Sequence, residues 1–485
     1  MSRHDHFSTR AIHIGSEPDP STGAVVPSLS VATTFKQDGI NKLLGGYDYS
    51  RSGNPTRSAL ESLLTSLETC PSQTISNDAR HDASGGESLV FASGSAATAA
   101  IAQWVTLSEK EGGAGGKDGN GHGGHILAVN DVYGGTARYL ARASRPTGLE
   151  VTFLNMEKAG EKGIRETIRP DTKLIWLELP TNPLLLVPPV RLISNIVHSL
   201  PSDTRPLILI DSTFLSPYYF TPLIPSNGDH PLADITMSSL SKYSSGHSDI
   251  ILGSLTISPL TNKVRPNLLK GLRFLQNAMG ASPSPRDCHL MIRSIKTLSV
   301  RMIKHGLNAL RLSHWLSTQT DLVERVRYPG LKTDESFEYV QDLISKNAKK
   351  ELSYLGWKFP FPLKKTSETE GVEEDSLEFT KTLGIPFGGM ITFAIKGATA
   401  QQAEKFCTEL RIPILAESLG GVESLVEVPY GMTHAHLPQE TLKELNITPN
   451  LIRFSVGIED YDDLVEDIEQ ALRAAQGQVN GNGHA

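Results

Sequence analysis

The chain has 485 residues, 39% hydrophobic and 20% charged, with a formal net charge of −7. That length accommodates two or three domains and a large core. The acidic balance speaks against nucleic acid or an anionic membrane as the main partner. Three scattered cysteines (Cys70, Cys288, Cys407) exclude a disulfide framework or a zinc site and point to a reducing compartment.

In chain order, the amino-terminal MSRHDHFSTRAIHIG lacks the apolar core of a secretory signal. No apolar run approaches the roughly 20 residues that cross a bilayer. The expectation is a cytoplasmic protein without a metal. Three segments read as inserted mobile loops: PSQTISNDARHDASGGES (71–88), the Gly-rich EGGAGGKDGNGHGG (111–124, within a looser span 108–124) and TSETEGVEEDSLE (366–378, within 361–380). The Gly-rich run holds Gly116-Lys117, but no Ser or Thr follows and no apolar strand precedes it, so a phosphate loop is not expected. His122 and His125 lack Cys or acidic neighbours at ligand spacing.

Short apolar runs at Leu89–Ala92, Ile126–Val129, Leu174–Leu177, Leu207–Ile210 and Asp234–Met237 read as strands. The all-apolar LILI suits a parallel sheet covered on both faces, and alternation with helical stretches predicts a doubly wound α/β domain. From about residue 266 the pattern changes to a second, α+β domain. Residues 286–318 read as helix, MITFAI and LIRFSVGI as strands. In the last segment, Leu464, Ile468 and Leu472 share one helix face. The tail 477–485 is expected to fray.

Ligands of open α/β sheets bind beyond the carboxyl ends of the strands. Past LVFA comes Ser93-Gly94-Ser95, a tight turn opening a helix whose N–H groups suit an anion. Past ILAV comes Tyr133 before two glycines, past LIWL comes Asn182 in a Pro-bounded turn, and past LILI comes Asp211. The fifth strand delivers Ser239, Ser241 and Lys242. Taken singly, these are a capped turn, a packing aromatic, a turn, a helix cap and a solvated loop. Taken together they meet the needs of pyridoxal 5'-phosphate: an amine for its aldehyde, an acid for its ring nitrogen, an aromatic for its ring face, and N–H groups and hydroxyls for its phosphate.

At these residues the chain resembles the Cys/Met-metabolism (transsulfuration) family of pyridoxal-phosphate enzymes. The motifs that carry the resemblance include YDYSRSGNPT (47–56), FASGSAATA (91–99), DVYGGTARY (131–139), PTNP (180–183), SSLSKYSSGHSD (238–249), RFLQNAMGASPSP (273–285), AESLGGVESLVEVP (416–429) and IRFSVGIED (452–460). The resemblance implies a type I (aspartate-aminotransferase-like) fold. An arm (1–60) reaches the neighbouring active site, an α/β cofactor domain spans 61–265, and an α+β domain spans 266–476. It implies Lys242 as the cofactor-bearing amine, Asp211 at the ring nitrogen, Tyr133 on the ring and Asn182 at the ring hydroxyl. Gly94, Ser95, Ser239 and Ser241 would hold the phosphate, together with Tyr49 and Arg51 of a neighbouring subunit in a homotetramer. Ser418 and Arg453 would take the substrate carboxylate.

Arg453 is supported independently by the alternation of Ile452–Ile458, which sets it opposite the apolar face, and by the planar fork of arginine. Glu417 favours γ over β chemistry among relatives. The implied activity is γ-elimination on a small sulfur amino acid, L-cystathionine, to cysteine, 2-oxobutanoate and ammonia. The alternatives are γ-replacement on an activated homoserine and a cofactor-binding protein without turnover. Leu179, Ser212 and Ser241 depart from the residues usual in the family, which bears on substrate preference.

Overall fold

A computed structural model describes residues 5–69, 86–117, 119–202, 204–225, 230–362, 373, 376–435 and 437–477. The chain forms two compact units. One comprises Met1–Leu179, Pro188–Pro217 and Thr221–Leu298; the other comprises Pro180–Val187, Tyr218–Phe220 and Ser299–Ala485.

The first unit is built on a seven-stranded sheet. Its strands are β1 (Glu87–Phe91), β2 (His125–Val129), β3 (Glu150–Leu154), β4 (Thr172–Glu178), β5 (Leu207–Asp211), β6 (Ile235–Ser239) and β7 (Gly253–Ile257), in the order β1-β7-β6-β5-β4-β2-β3. All pairings are parallel except those of β7, which runs antiparallel to both β1 and β6. The mostly parallel α/β sheet expected from the apolar runs is therefore present. Leu207, Ile208, Leu209 and Ile210 are at most 2% exposed, as a strand covered on both faces must be. Apolar runs do not reveal β3 or β7. β3 is a half-exposed edge, and β7 alternates Leu255 and Ile257 with the buried hydroxyls Ser254 and Thr256.

Helix α1 (Pro55–Thr69) starts on proline, whose fixed φ suits a first turn. Helix α2 (Gly94–Thr106) is capped by Ser93, whose Oγ accepts from Ala96 N–H at 3.0 Å. Helices α3 (Asn267–Ala278) and α4 (Pro285–Ile295) pack on α2 and α1 respectively. The units consequently divide near residue 298, not at 266, where the sequence pattern changes.

The Gly-rich segment is not the detached mobile loop expected. Backbone N–H groups of Ala114, Gly115, Gly116 and His122 donate to the carbonyls of Trp104, Leu107, Val105 and Thr106, and Trp104 Nε1–H donates to Gly112 O at 2.9 Å. The run thus satisfies the carbonyls that the end of α2 leaves unpaired. Its close returns use left-handed backbone at Gly112, Gly115 and Gly116, among others, where a Cβ would be strained. Of the other two insertions, 70–85 and most of 363–375 lie outside the described residues, as does the tail from 478. Glu87 and Ser88 already belong to β1, and Leu377 and Glu378 to a helix.

The second unit carries a five-stranded sheet of β8 (Val323–Arg327), β9 (Met390–Ile395), β10 (Ile414–Leu415), β11 (Leu425–Glu427) and β12 (Leu451–Ser455), ordered β8-β9-β12-β11-β10. Helix α5 (Leu298–Thr318) precedes it, and α6 (Ala400–Glu409) packs on the carboxy-terminal helix α7 (Tyr461–Ala475). Leu464, Ile468 and Leu472 of α7 are wholly buried, so their spacing does mark the core face.

Candidate active site

In the first unit, parallel register lines up the carboxyl ends of the central strands. Glu178 pairs with Asp211, and Asp211 with Met237. Ser239 lies two residues further along β6, and Lys242 follows in the turn after it. The structure links these ends through Thr213, a residue the sequence reading did not single out. Thr213 Oγ1 donates to Asp211 Oδ1 at 2.6 Å and accepts from Ser239 N–H at 2.9 Å, while Thr213 N–H donates to the same Oδ1 at 3.0 Å. Asp211 is thereby fixed, yet burial still pushes its carboxyl up to about 6, against the opposing hydrogen bonds from Thr213.

The turn before α2 sits directly on this group. A Cβ on Gly94 would lie 3.1 Å from Ser239 Cβ and 3.2 Å from its Oγ, so glycine is what allows that hydroxyl to approach the helix start. Gly253 of β7 is equally constrained, since a Cβ there would come within 2.6 Å of Gly94 Cα and N. With Ser93 capping the Ala96 N–H, the first-turn N–H groups of Gly94 and Ser95 lie at the positive end of the helix dipole. Ser241 differs from expectation. Its Oγ accepts from Leu252 N–H at 3.0 Å and donates to Leu252 O at 3.3 Å, bracing the lysine turn against the segment leading into β7.

Tyr133 is 44% exposed and its ring lies against Gly135, where any Cβ would collide with it. Its backbone N–H donates to Glu178 Oε2 at 2.8 Å. Glu178 at the end of β4 therefore places the tyrosine, a function its position in the ELPTNP turn does not announce.

The second unit gathers a different set. Arg453 on β12 is 3% exposed. Its Nη1 donates to Asn182 Oδ1 at 3.0 Å and its Nη2 to Ser418 O at 2.9 Å. Asn182, expected at the cofactor ring hydroxyl, is thus brought to the arginine. Its turn is held by Thr392 Oγ1, which donates to Pro183 O at 2.6 Å. Ser418 adopts φ 121°, a left-handed conformation costly for a residue with a side chain, and presents its carbonyl to Arg453. Glu417 beside it is exposed. Glu427, also unforeseen, forms an ion pair with Arg453 Nη2 at 2.9 Å. Tyr49 and Arg51 are exposed on the arm of the first unit, the guanidinium 5.4 Å from the tyrosine ring centroid and its Nε–H donating to Asn277 Oδ1 at 3.0 Å.

A family model described as Cys/Met metabolism PLP-dependent enzyme matches residues 8–370 and 370–473. The chain belongs to this family. Among its relatives, the cystathionine gamma-lyase of Mus musculus is 38% identical over 471 residues, covering 97% of this chain and 96% of the mouse protein. The crystal structure of cystathionine gamma-lyase from yeast superposes with a TM-score of 0.76 at 36% identity, covering 98% of this chain and all of that one. A cystathionine gamma synthase from Xanthomonas oryzae, solved with aminoacrylate and cysteine, gives a TM-score of 0.74 at 26% identity, over 98% and 100% of the two chains.

The cofactor of the Cys/Met-metabolism PLP-dependent enzymes is pyridoxal phosphate, and the strand-end residues fit it. Asp211 is a buried carboxyl whose raised proton affinity a protonated ring nitrogen would reverse. Gly94, without a Cβ, leaves the Ser239 hydroxyl and the start of α2 clear for a phosphate. Among the described residues, no group of three or more His, Cys, Asp or Glu side chains is placed to hold a metal, and no helix is long and apolar enough to cross a membrane.

Proposed function

We propose that this chain is a carbon–sulfur lyase that converts L-cystathionine and water to L-cysteine, 2-oxobutanoate and ammonia by γ-elimination. The observation that carries this reading is the 38% identity to a cystathionine gamma-lyase over 96% of that protein's length, against 26% to the cystathionine gamma synthase. Glu417 beside Ser418 supports it, since an acid there accords with γ chemistry.

Bound pyridoxal phosphate supplies the sink for the electron pair released when a Cα–H bond breaks. Lys242 Nζ would hold the cofactor and is the amine that would take the Cα proton as general base. Asp211, fixed by Thr213, keeps the proton on the ring nitrogen. Tyr133, placed by Glu178, covers the ring and gives a proton from its hydroxyl to the leaving sulfur. The N–H groups of Gly94 and Ser95 with the Ser239 hydroxyl hold the phosphate, and Ser241 keeps the lysine turn in place. Arg453, with Ser418 and Asn182 alongside, receives the substrate carboxylate through its planar fork.

The arm exposes Val25, Val31 and Ile40, an apolar surface suited to a second copy of the chain. On this reading Tyr49 and Arg51 reach the phosphate of the neighbouring subunit. The working assembly is a cytoplasmic homotetramer of active-site-sharing dimers.

The deciding experiment is incubation of the purified protein with L-cystathionine alone. Release of 2-oxobutanoate is the expected result. No 2-oxobutanoate, together with condensation of an O-acylhomoserine with cysteine, would replace the lyase by a γ-replacement enzyme, the reading that the synthase structure favours.

A further inference from the structure

Strand register sets Glu427 of β11 directly opposite Arg453 of β12, and Thr392 of β9 opposite Arg453 on its other side. Opposed residues of an antiparallel pair project to the same face, so both neighbours meet the arginine. Thr392 acts on Arg453 indirectly, by holding the Pro183 carbonyl of the turn that carries Asn182. Glu427 acts directly, through the 2.9 Å contact of its Oε2 with Nη2. Both members of this ion pair are almost wholly buried, at 1% and 3% exposed.

Glu427 is itself held from behind. Thr433 Oγ1–H donates to Glu427 Oε1 at 2.9 Å. His434 Nδ1 lies 2.9 Å from the same Oγ1. A threonine has one O–H, and it is given to Glu427, so the imidazole must be the donor at Nδ1. Within the second unit His434 and Thr433 thus donate toward Glu427, Glu427 pairs by charge with Arg453, and Arg453 donates to Asn182, one connected set of contacts. A receptor arginine must keep its charge buried when no substrate carboxylate is there, and an unpartnered buried cation is costly. A fixed carboxylate on one nitrogen meets that need and sets the plane of the fork for the ligand.

We infer that Glu427 is a positioning residue for substrate binding, orienting the Arg453 guanidinium toward an α-carboxylate, with Thr433 and His434 fixing Glu427 in turn. The inference rests on the reading of Arg453 as the carboxylate receptor.

The test is steady-state γ-elimination of L-cystathionine by purified holoenzyme variants. E427A raises KM about tenfold or more with kcat within about twofold, because a misdirected fork weakens binding without touching the proton transfers. E427Q keeps an acceptor for Nη2 and returns KM to within about threefold of the parent. T433V, which deletes only the hydroxyl behind Glu427, raises KM about threefold. Loss of kcat at unchanged KM in E427A, or an E427Q no better than E427A, overturns the inference. If E427A does not fold, T433V decides: a raised KM upholds the positioning role and an unchanged KM refutes it. R453K separates the two readings. An unchanged KM there removes Arg453 as receptor, whereas a raised KM with parental values in E427A and T433V removes only the role of Glu427.

Discussion

Replacing Glu68 by glutamine should remove a pH-dependent loss of stability. Glu68 lies in the last turn of α1 and is 3% exposed. Its Oε2 has no hydrogen-bond partner among the described residues. Burial pushes the carboxyl from its ordinary 4.5 up to about 8, against a weaker opposing hydrogen bond from Thr236 on β6. The folded protein thus holds this proton more tightly than the unfolded chain does. The stabilisation from the bound proton is complete below about 4.5, declines as pH rises and is gone above about 8. At about 1.4 kcal/mol per tenfold change in proton affinity, the whole span is worth up to roughly 5 kcal/mol. Glutamine has nearly the shape of the neutral acid and does not titrate, so Glu68→Gln should match the parent within about 1 kcal/mol at pH 4.5, exceed it increasingly up to about pH 8 and level off above that. The measurement is the urea midpoint of parent and variant across that range, compared as a difference so that groups common to both cancel. A difference that does not grow with pH would refute the argument, because it would mean that Glu68 is ionised in the fold or reaches a compensating charge.

Two further outcomes follow from the cofactor group. Lys242→Ala should lack the yellow, borohydride-reducible chromophore of the parent; an unchanged absorption spectrum would put the reactive amine elsewhere. Gly253→Ala should lower stability by about 1–3 kcal/mol and loosen cofactor retention on dialysis, because the added methyl meets the backbone of the Ser93–Gly94 turn and not a movable side chain. Parental retention and melting temperature in that variant would show that the turn shifts freely.

Much of the candidate site was legible from the sequence because strand ends are local events. An apolar run such as LILI must be buried whatever it pairs with, and the residue after it must then lie at the rim of the sheet. That logic located Asp211, Tyr133, Ser239 and Lys242 without knowledge of strand order. It failed where meaning comes from a distant partner. Thr213 reads as a hydroxyl in a turn until Ser239 N–H is seen to donate to it. Glu178 reads as the end of a strand until Tyr133 N–H is seen upon it. Asn182 reads as an amide in a Pro-bounded turn until Arg453, 271 residues away, is seen to donate to its Oδ1.

The amino-acid sequence by itself determined the chemistry this protein carries and the alternation of elements that delivers it, since both depend on residue type and short-range period. The tertiary structure alone decided how β7 enters antiparallel between β1 and β6, which makes Gly253 obligatory beneath the cofactor turn. It alone showed that the Gly-rich run caps α2, and that Glu427 stands opposite Arg453. Each of these is a matter of register between segments far apart in the chain. Register is set by the summed packing of whole strands and helices, which no local stretch of sequence records.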